Sequence, residues 1–106
     1  MLTDKDYCDY DTCVALEELG YPRYCYDNGG ELDKILRMVT LYNAQKWLRE
    51  DKNLHIDCGY NPSLSWYYYH VWKGQEEIAE GEAFPTYEDA LNTAIYMATE
   101  FLKEKK

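Results

Sequence analysis

Apolar and polar positions along this 106-residue chain recur with two different periods. From about Tyr10 to Leu19, Cys13, Leu16 and Leu19 recur at helical spacing. Asp9 or Asp11 is placed to accept from the free N–H groups of the first turn. Gly20 follows as a helix-ending residue, and Pro22 forbids continuation. A second helix is predicted from about Leu41 to Asp51, capped by Thr40, with Leu41, Ala44, Trp47 and Leu48 on one face. The period then changes to two. In Leu54–Tyr60, Leu54, Ile56, Cys58 and Tyr60 point one way and His55, Asp57 and Gly59 the other, the pattern of a half-buried strand. Asn61-Pro62-Ser63 is a turn, Ser65–Trp72 a second strand with aromatics on both faces, and Lys73-Gly74 another turn. A third, weaker strand covers Glu76 to Phe84, with Gly81 as a candidate bulge. Helical spacing returns after Pro85. Thr86 to Asp89 fits a capping box, and Leu91, Ala94, Ile95, Ala98, Phe101 and Leu102 form the longest apolar stripe in the chain.

Between the first two helices, Tyr24-Cys25-Tyr26 precedes Asp27-Asn28-Gly29-Gly30, and Asn-Gly is a strong hairpin signal. A small β-hairpin is expected there, its second arm within Glu31–Met38. Leu32, Ile35, Leu36 and Val39 fit helical spacing equally well, which leaves strand and helix both open for residues 31–39. The order is therefore helix, hairpin, helix, then an antiparallel β-β-(β) sheet packed by a C-terminal helix. That is an α+β fold in a single domain spanning residues 1–106.

Loop parity decides which aromatics of the second strand face the helices. An even loop pairs Tyr60 with Ser65, Cys58 with Tyr67, Ile56 with Tyr69 and Leu54 with Val71. Tyr67, Tyr69 and Val71 then lie in the core, and Trp66, Tyr68, His70 and Trp72 lie on the opposite face, with His55 opposite His70. An odd loop reverses the two sets. Pro62-Ser63 at the centre of a two- or four-residue turn favours the even case. A contiguous Trp66, Tyr68 and Trp72 patch would exceed what monomers usually expose and points to a partner surface. Trp66, Tyr68, His70 and Trp72 are accordingly the candidate protein interface.

Charge narrows the function classes. The chain carries 11 Lys+Arg against 20 Asp+Glu, a net charge of −9, which argues against binding nucleic acid or an anionic membrane. The charge is evenly spread, with 7 basic and 11 acidic residues in the first 53 and 4 and 9 in the rest, so no acidic tail or domain boundary shows. The final β-β-β-α order resembles the second half of a double-stranded RNA-binding domain. Such a domain needs basic residues at the start of its last helix, where this chain has Thr86-Tyr87-Glu88-Asp89. No apolar run approaches the ~20 residues that cross a bilayer, and the opening ten residues are acidic and polar rather than signal-like.

Candidate chemistry is sparse. Cys8, Cys13, Cys25 and Cys58 have irregular spacing, read as reduced structural thiols with no disulfide and no zinc. His55, Asp57 and His70 could converge on the outer sheet face in a metal-binding or proton-shuttling arrangement, though two exposed histidines on a sheet is the plainer reading. Glu76-Glu77 reads as a solvated edge. No nucleophile motif or phosphate loop is present, so the expectation is no enzyme and no cofactor.

Three runs carry a resemblance. Tyr10-Asp11-Thr12-Cys13-Val14-Ala15-Leu16-Glu17-Glu18-Leu19-Gly20-Tyr21-Pro22, Thr40 to Glu50, and Thr86-Tyr87-Glu88-Asp89-Ala90-Leu91 to Ile95 together resemble small uncharacterised proteins encoded by bacteriophages and prophages of gut anaerobic bacteria. Those proteins share an Ala-Leu-x-x-Leu-Gly-Phe helix, an Ala-Gln-x-Trp-Leu-Arg helix and a Tyr-Glu-Glu-Ala-Leu helix. Tyr21 stands here at the usual Phe. The resemblance spans most of the chain and implies a phage context and the cytoplasm of a bacterial host, but no activity. Two function classes follow. One is a non-catalytic accessory protein that binds an unknown protein partner, or itself, through the aromatic face. The alternative is an acidic nucleic-acid mimic that blocks a DNA- or RNA-binding host protein, which calls for rows of carboxylates about 7 Å apart.

Overall fold

The computed structural model describes residues 6–21 and 39–104. The hairpin expected around Tyr24–Met38 lies outside the described residues, as does Cys25. Within them the order is α1 (Tyr10–Glu18), α2 (Leu41–Asp51), β1 (Leu54–Asn61), β2 (Trp66–Lys73), β3 (Glu76–Phe84) and α3 (Tyr87–Glu104). The strands form an antiparallel sheet in the order β1-β2-β3, and the fold is α+β.

Each helix starts where a side-chain oxygen can satisfy a free amide. Asp9 Oδ1 accepts from Thr12 N (2.9 Å), Thr40 Oγ1 from Asn43 N (3.1 Å) and Thr86 Oγ1 from Asp89 N (3.0 Å). Asp9 also clasps α3: its N–H donates to Asn92 Oδ1 (3.0 Å), and Asn92 Nδ2 donates to Asp9 Oδ2 (2.9 Å). Burial alone would raise the Asp9 pKa, but the hydrogen bonds from Thr12 and Asn92 hold it below the ordinary value. Gly20 ends α1 at φ +96°, in the left-handed region where a side chain is costly.

α3 lies across one face of all three strands, and α1 and α2 pack beside it. Ile95, Ala94 and Ala98 are fully buried there against Leu54, Tyr69 and Val71, with Leu16 and Leu48 closing the core from α1 and α2. The three alanines of α3 (Ala90, Ala94 and Ala98) have no accessible surface, which lets the helix backbone approach the sheet. Gln45 Nε2 donates to Ile56 O (3.1 Å) and ties α2 to β1.

Loop parity holds, but the predicted register does not. The loop is even, four residues from Pro62 to Ser65, and Tyr69 and Val71 face the helices as expected. The pairs, however, are Asn61 with Trp66, Tyr60 with Tyr67, Cys58 with Tyr69 and Ile56 with Val71. The cause is Asn61. Its side-chain oxygen accepts from Ser63 N (3.0 Å) and Leu64 N (3.3 Å), so it closes the turn as the last paired residue. Ser65 then returns the chain through a left-handed conformation at φ +56°. His55 consequently faces Trp72, not His70, and His70 faces Asp57.

The bulge expected at Gly81 is displaced as well. Gly81 is regularly paired with Tyr69, and β3 instead shifts register twice, between its partners Tyr67 and Tyr69 and between Val71 and Trp72. The first shift sets Glu82 and Ala83 against Tyr68, with Ala83 at φ +72°; the second leaves Ile78 as the extra residue.

Candidate outer-face interaction site

The two faces of the sheet differ in what meets them. No described helix packs on the face opposite α3. Down its centre β2 sets the row Trp66, Tyr68, His70 and Trp72, all half-buried. Within the row, Tyr68 and His70 meet edge-to-face with centroids 5.4 Å apart, and His70 and Trp72 lie at 6.3 Å. More exposed apolar side chains lie elsewhere, among them Leu64 (55%) in the turn and Tyr60 (49%) near the end of β1.

Tyr68 keeps its place through a gap in β1. It is paired with Gly59, and a Cβ there would come within 2.5 Å of Tyr68 Cζ, so the ring lies across bare backbone. The inner face repeats the device, with Tyr69 over Gly81, where a Cβ would sit 2.9 Å from Tyr69 Cζ. The Tyr69 ring is also packed on Phe84 at 5.7 Å.

Carboxylates flank the row. Asp57 pairs with His70 from β1, and Glu80 and Glu77 pair with His70 and Trp72 from β3. His70 Nδ1 donates to Glu77 Oε2 at 2.9 Å. The expected His55–Asp57–His70 convergence is therefore replaced by His70, Glu77 and Glu80, whose ligand atoms lie within 4.8 Å of one another. Among the described residues, these three are the ones that could hold a metal ion. Glu77 is exposed on the edge strand β3, as expected, and in addition bonds His70. Asp57, Trp66, Tyr68, His70, Trp72, Glu80 and Glu82 border an open hollow of about 720 Å³. A second hollow, about 440 Å³ and mostly apolar, lies between the starts of α2 and α3 against Leu41, Tyr42, Tyr87 and Leu91.

Sequence reasoning placed the aromatic row correctly and missed Glu77 and Glu80. Three positions apart, they belong on opposite faces of a regular strand, and the Ile78 bulge brings both to the outer side. The sequence carried no signal for that beyond the weak patterning of Glu76–Phe84.

Cys8, Cys13 and Cys58 are free thiols. Burial, with Asp57 adding to it, pushes Cys58 up to about 12 on the inner face. Cys8 and Cys13 share a hydrogen bond that raises the buried Cys8 thiol and lowers Cys13. Among the described residues, no helix is long and apolar enough to cross a membrane. No family model, curated protein or solved structure matches the chain.

Proposed function

We propose that this chain is a non-catalytic phage or prophage accessory protein of the bacterial cytoplasm, which binds another protein through the outer face of its sheet. One observation carries this reading: two tryptophans, a tyrosine and a histidine stand in a row on a sheet face that no described helix covers. Tryptophan and tyrosine dominate binding hot spots because each buries a large rigid area at low entropic cost. Self-association through the same face is the simplest form of the activity. Trp66→Ala and Trp72→Ala test it, with thermal unfolding beside sedimentation and capture of a defined bacterial partner. Intact folding with lost association supports the reading. Collapse of both variants makes the residues core and removes the site.

The nucleic-acid mimic is kept as a second reading because of β3. Glu80 and Glu82 project on one side two residues apart, about 7 Å at strand rise, near the phosphate repeat. Mimicry requires a salt-labile partner whose nucleic acid competes with this chain, whereas an aromatic interface resists salt.

A further inference from the structure

We propose that the outer-face hollow takes a guanidinium group, so that the partner presents an arginine side chain between the aromatic row of β2 and the carboxylates of β3. This deepens the interaction reading above and rests on it.

The first argument is charge. Asp57, Glu80 and Glu82 border the hollow, and no Lys or Arg is among the described residues lining it. Three described lysines are engaged elsewhere. Lys73, at the end of β2, lies over the Phe101 ring at 5.9 Å, Lys52 over Trp47 at 5.3 Å, and Lys103 pairs with Glu18 at 2.7 Å. His70 is committed to Glu77. The hollow therefore carries negative charge that no described lysine or arginine lining it offsets, and it favours a cationic occupant.

The second argument is shape. Glu80 is the cross-strand partner of His70, and Glu82 lies beside Tyr68 across the bulge, so carboxylates run alongside ring faces at the spacing of paired strands. A planar guanidinium can stack on an aromatic ring and direct its edge N–H groups to a neighbouring carboxylate at the same time. An ammonium has no plane to stack and acts as a point charge. A metal ion at His70, Glu77 and Glu80 would have to break the existing Nδ1–Oε2 hydrogen bond and leave the rings unused.

The test uses the whole protein and two probes, an acetylated Gly-Arg-Gly-Arg-Gly amide and its lysine counterpart, followed by two-dimensional NMR. The arginine peptide is expected to move the Trp66 and Trp72 indole signals and the β3 amides, and to bind at least about fivefold tighter than the lysine peptide. Glu80→Gln/Glu82→Gln, two exposed positions that leave the core intact, should weaken the arginine response at least about fivefold. Equal responses to the two peptides, or an undiminished response in the glutamine variant, overturn the proposal. So does a saturable response to zinc chloride with none to arginine. Loss of association in Trp72→Ala without any arginine response overturns the guanidinium occupant and leaves the interaction face standing. Unchanged association together with no arginine response ends both.

Discussion

Each face of the sheet carries a tyrosine lying across a glycine of the neighbouring strand, and the two pairs behave differently. On the inner face Tyr69, only 4% exposed, spans from β2 over Gly81 and packs against Phe84 beneath α3. On the outer face Tyr68 spans over Gly59 in the other direction and remains half-buried beside His70. The same local device thus serves a closed core on one side and an open row of rings on the other. What separates them is α3: a ring trapped under a helix is structural, whereas a ring with one free face is available to a partner.

The largest effect expected is at the centre of the inner face. Ile95→Ala should cost about 2–5 kcal/mol in denaturant unfolding, since Ile95 is fully buried between α3 and the sheet. Its outer-face counterpart, Trp72→Ala, should cost less than about 2 kcal/mol. Equal costs would erase the distinction between the faces.

The glycine pairs come next. Gly81→Ala should destabilise by about 1–3 kcal/mol, because the Tyr69 ring it would strike is packed and has nowhere to go. Gly59→Ala should cost about 1 kcal/mol or less, since the atoms it meets are the far end of Tyr68, which can swing toward solvent. A reversed order would show that Tyr68, not Tyr69, is the locked ring.

Desolvation on the inner face also sets a pH dependence. Folding holds the Cys58 thiol neutral up to about 12, while the unfolded chain ionises it near its ordinary 9.0. The unfolded state is therefore favoured as pH rises, and stability is lost progressively between about 9 and about 12. Cys58→Ala should flatten that part of the alkaline unfolding profile. An unchanged profile would mean that water reaches the thiol.

The smallest effect is expected at the bulge that separates Glu82 from Phe84. Ala83 holds φ +72°, a conformation that strains a residue with a Cβ. Ala83→Gly relieves the strain but frees the unfolded chain, so thermal unfolding should place it within about 0.5 kcal/mol of the parent. A loss of more than about 1 kcal/mol would mean that the methyl group is packed rather than strained.

The parts legible in the sequence were those governed by short-range chemistry. Thr40 and Thr86 cap their helices from the positions their spacing indicated, Asp9 does so as one of the two aspartates offered, and the alternation in Leu54–Tyr60 placed Leu54, Ile56 and Cys58 on one face, which meets the helices. The aromatic row was legible only in part: an even loop fixes the face whatever the register, and Pro62-Ser63 favoured an even loop while an odd one would have reversed the faces. The register itself was not legible. It turned on whether Asn61 counts as strand or turn, and its side chain answers by accepting two turn amides.

What the sequence determined by itself, then, is the set of described elements and their caps, while its turn chemistry favoured without fixing the face of β2 that carries Trp66, Tyr68, His70 and Trp72. Each follows from residues within a turn or two of one another. The tertiary structure decided where the carboxylates of β3 stand. Strict alternation would put Glu77 and Glu80 on opposite faces and leave Phe84 on the outer side with Glu80 and Glu82. Two bulges instead bring all three glutamates outward and return Phe84 to Tyr69 under α3. A bulge is chosen by the packing gained on both faces at once, against local strain of the kind Ala83 carries. That balance exists only when the strand already lies beside β2 and beneath the helix, so no period along the chain can announce it.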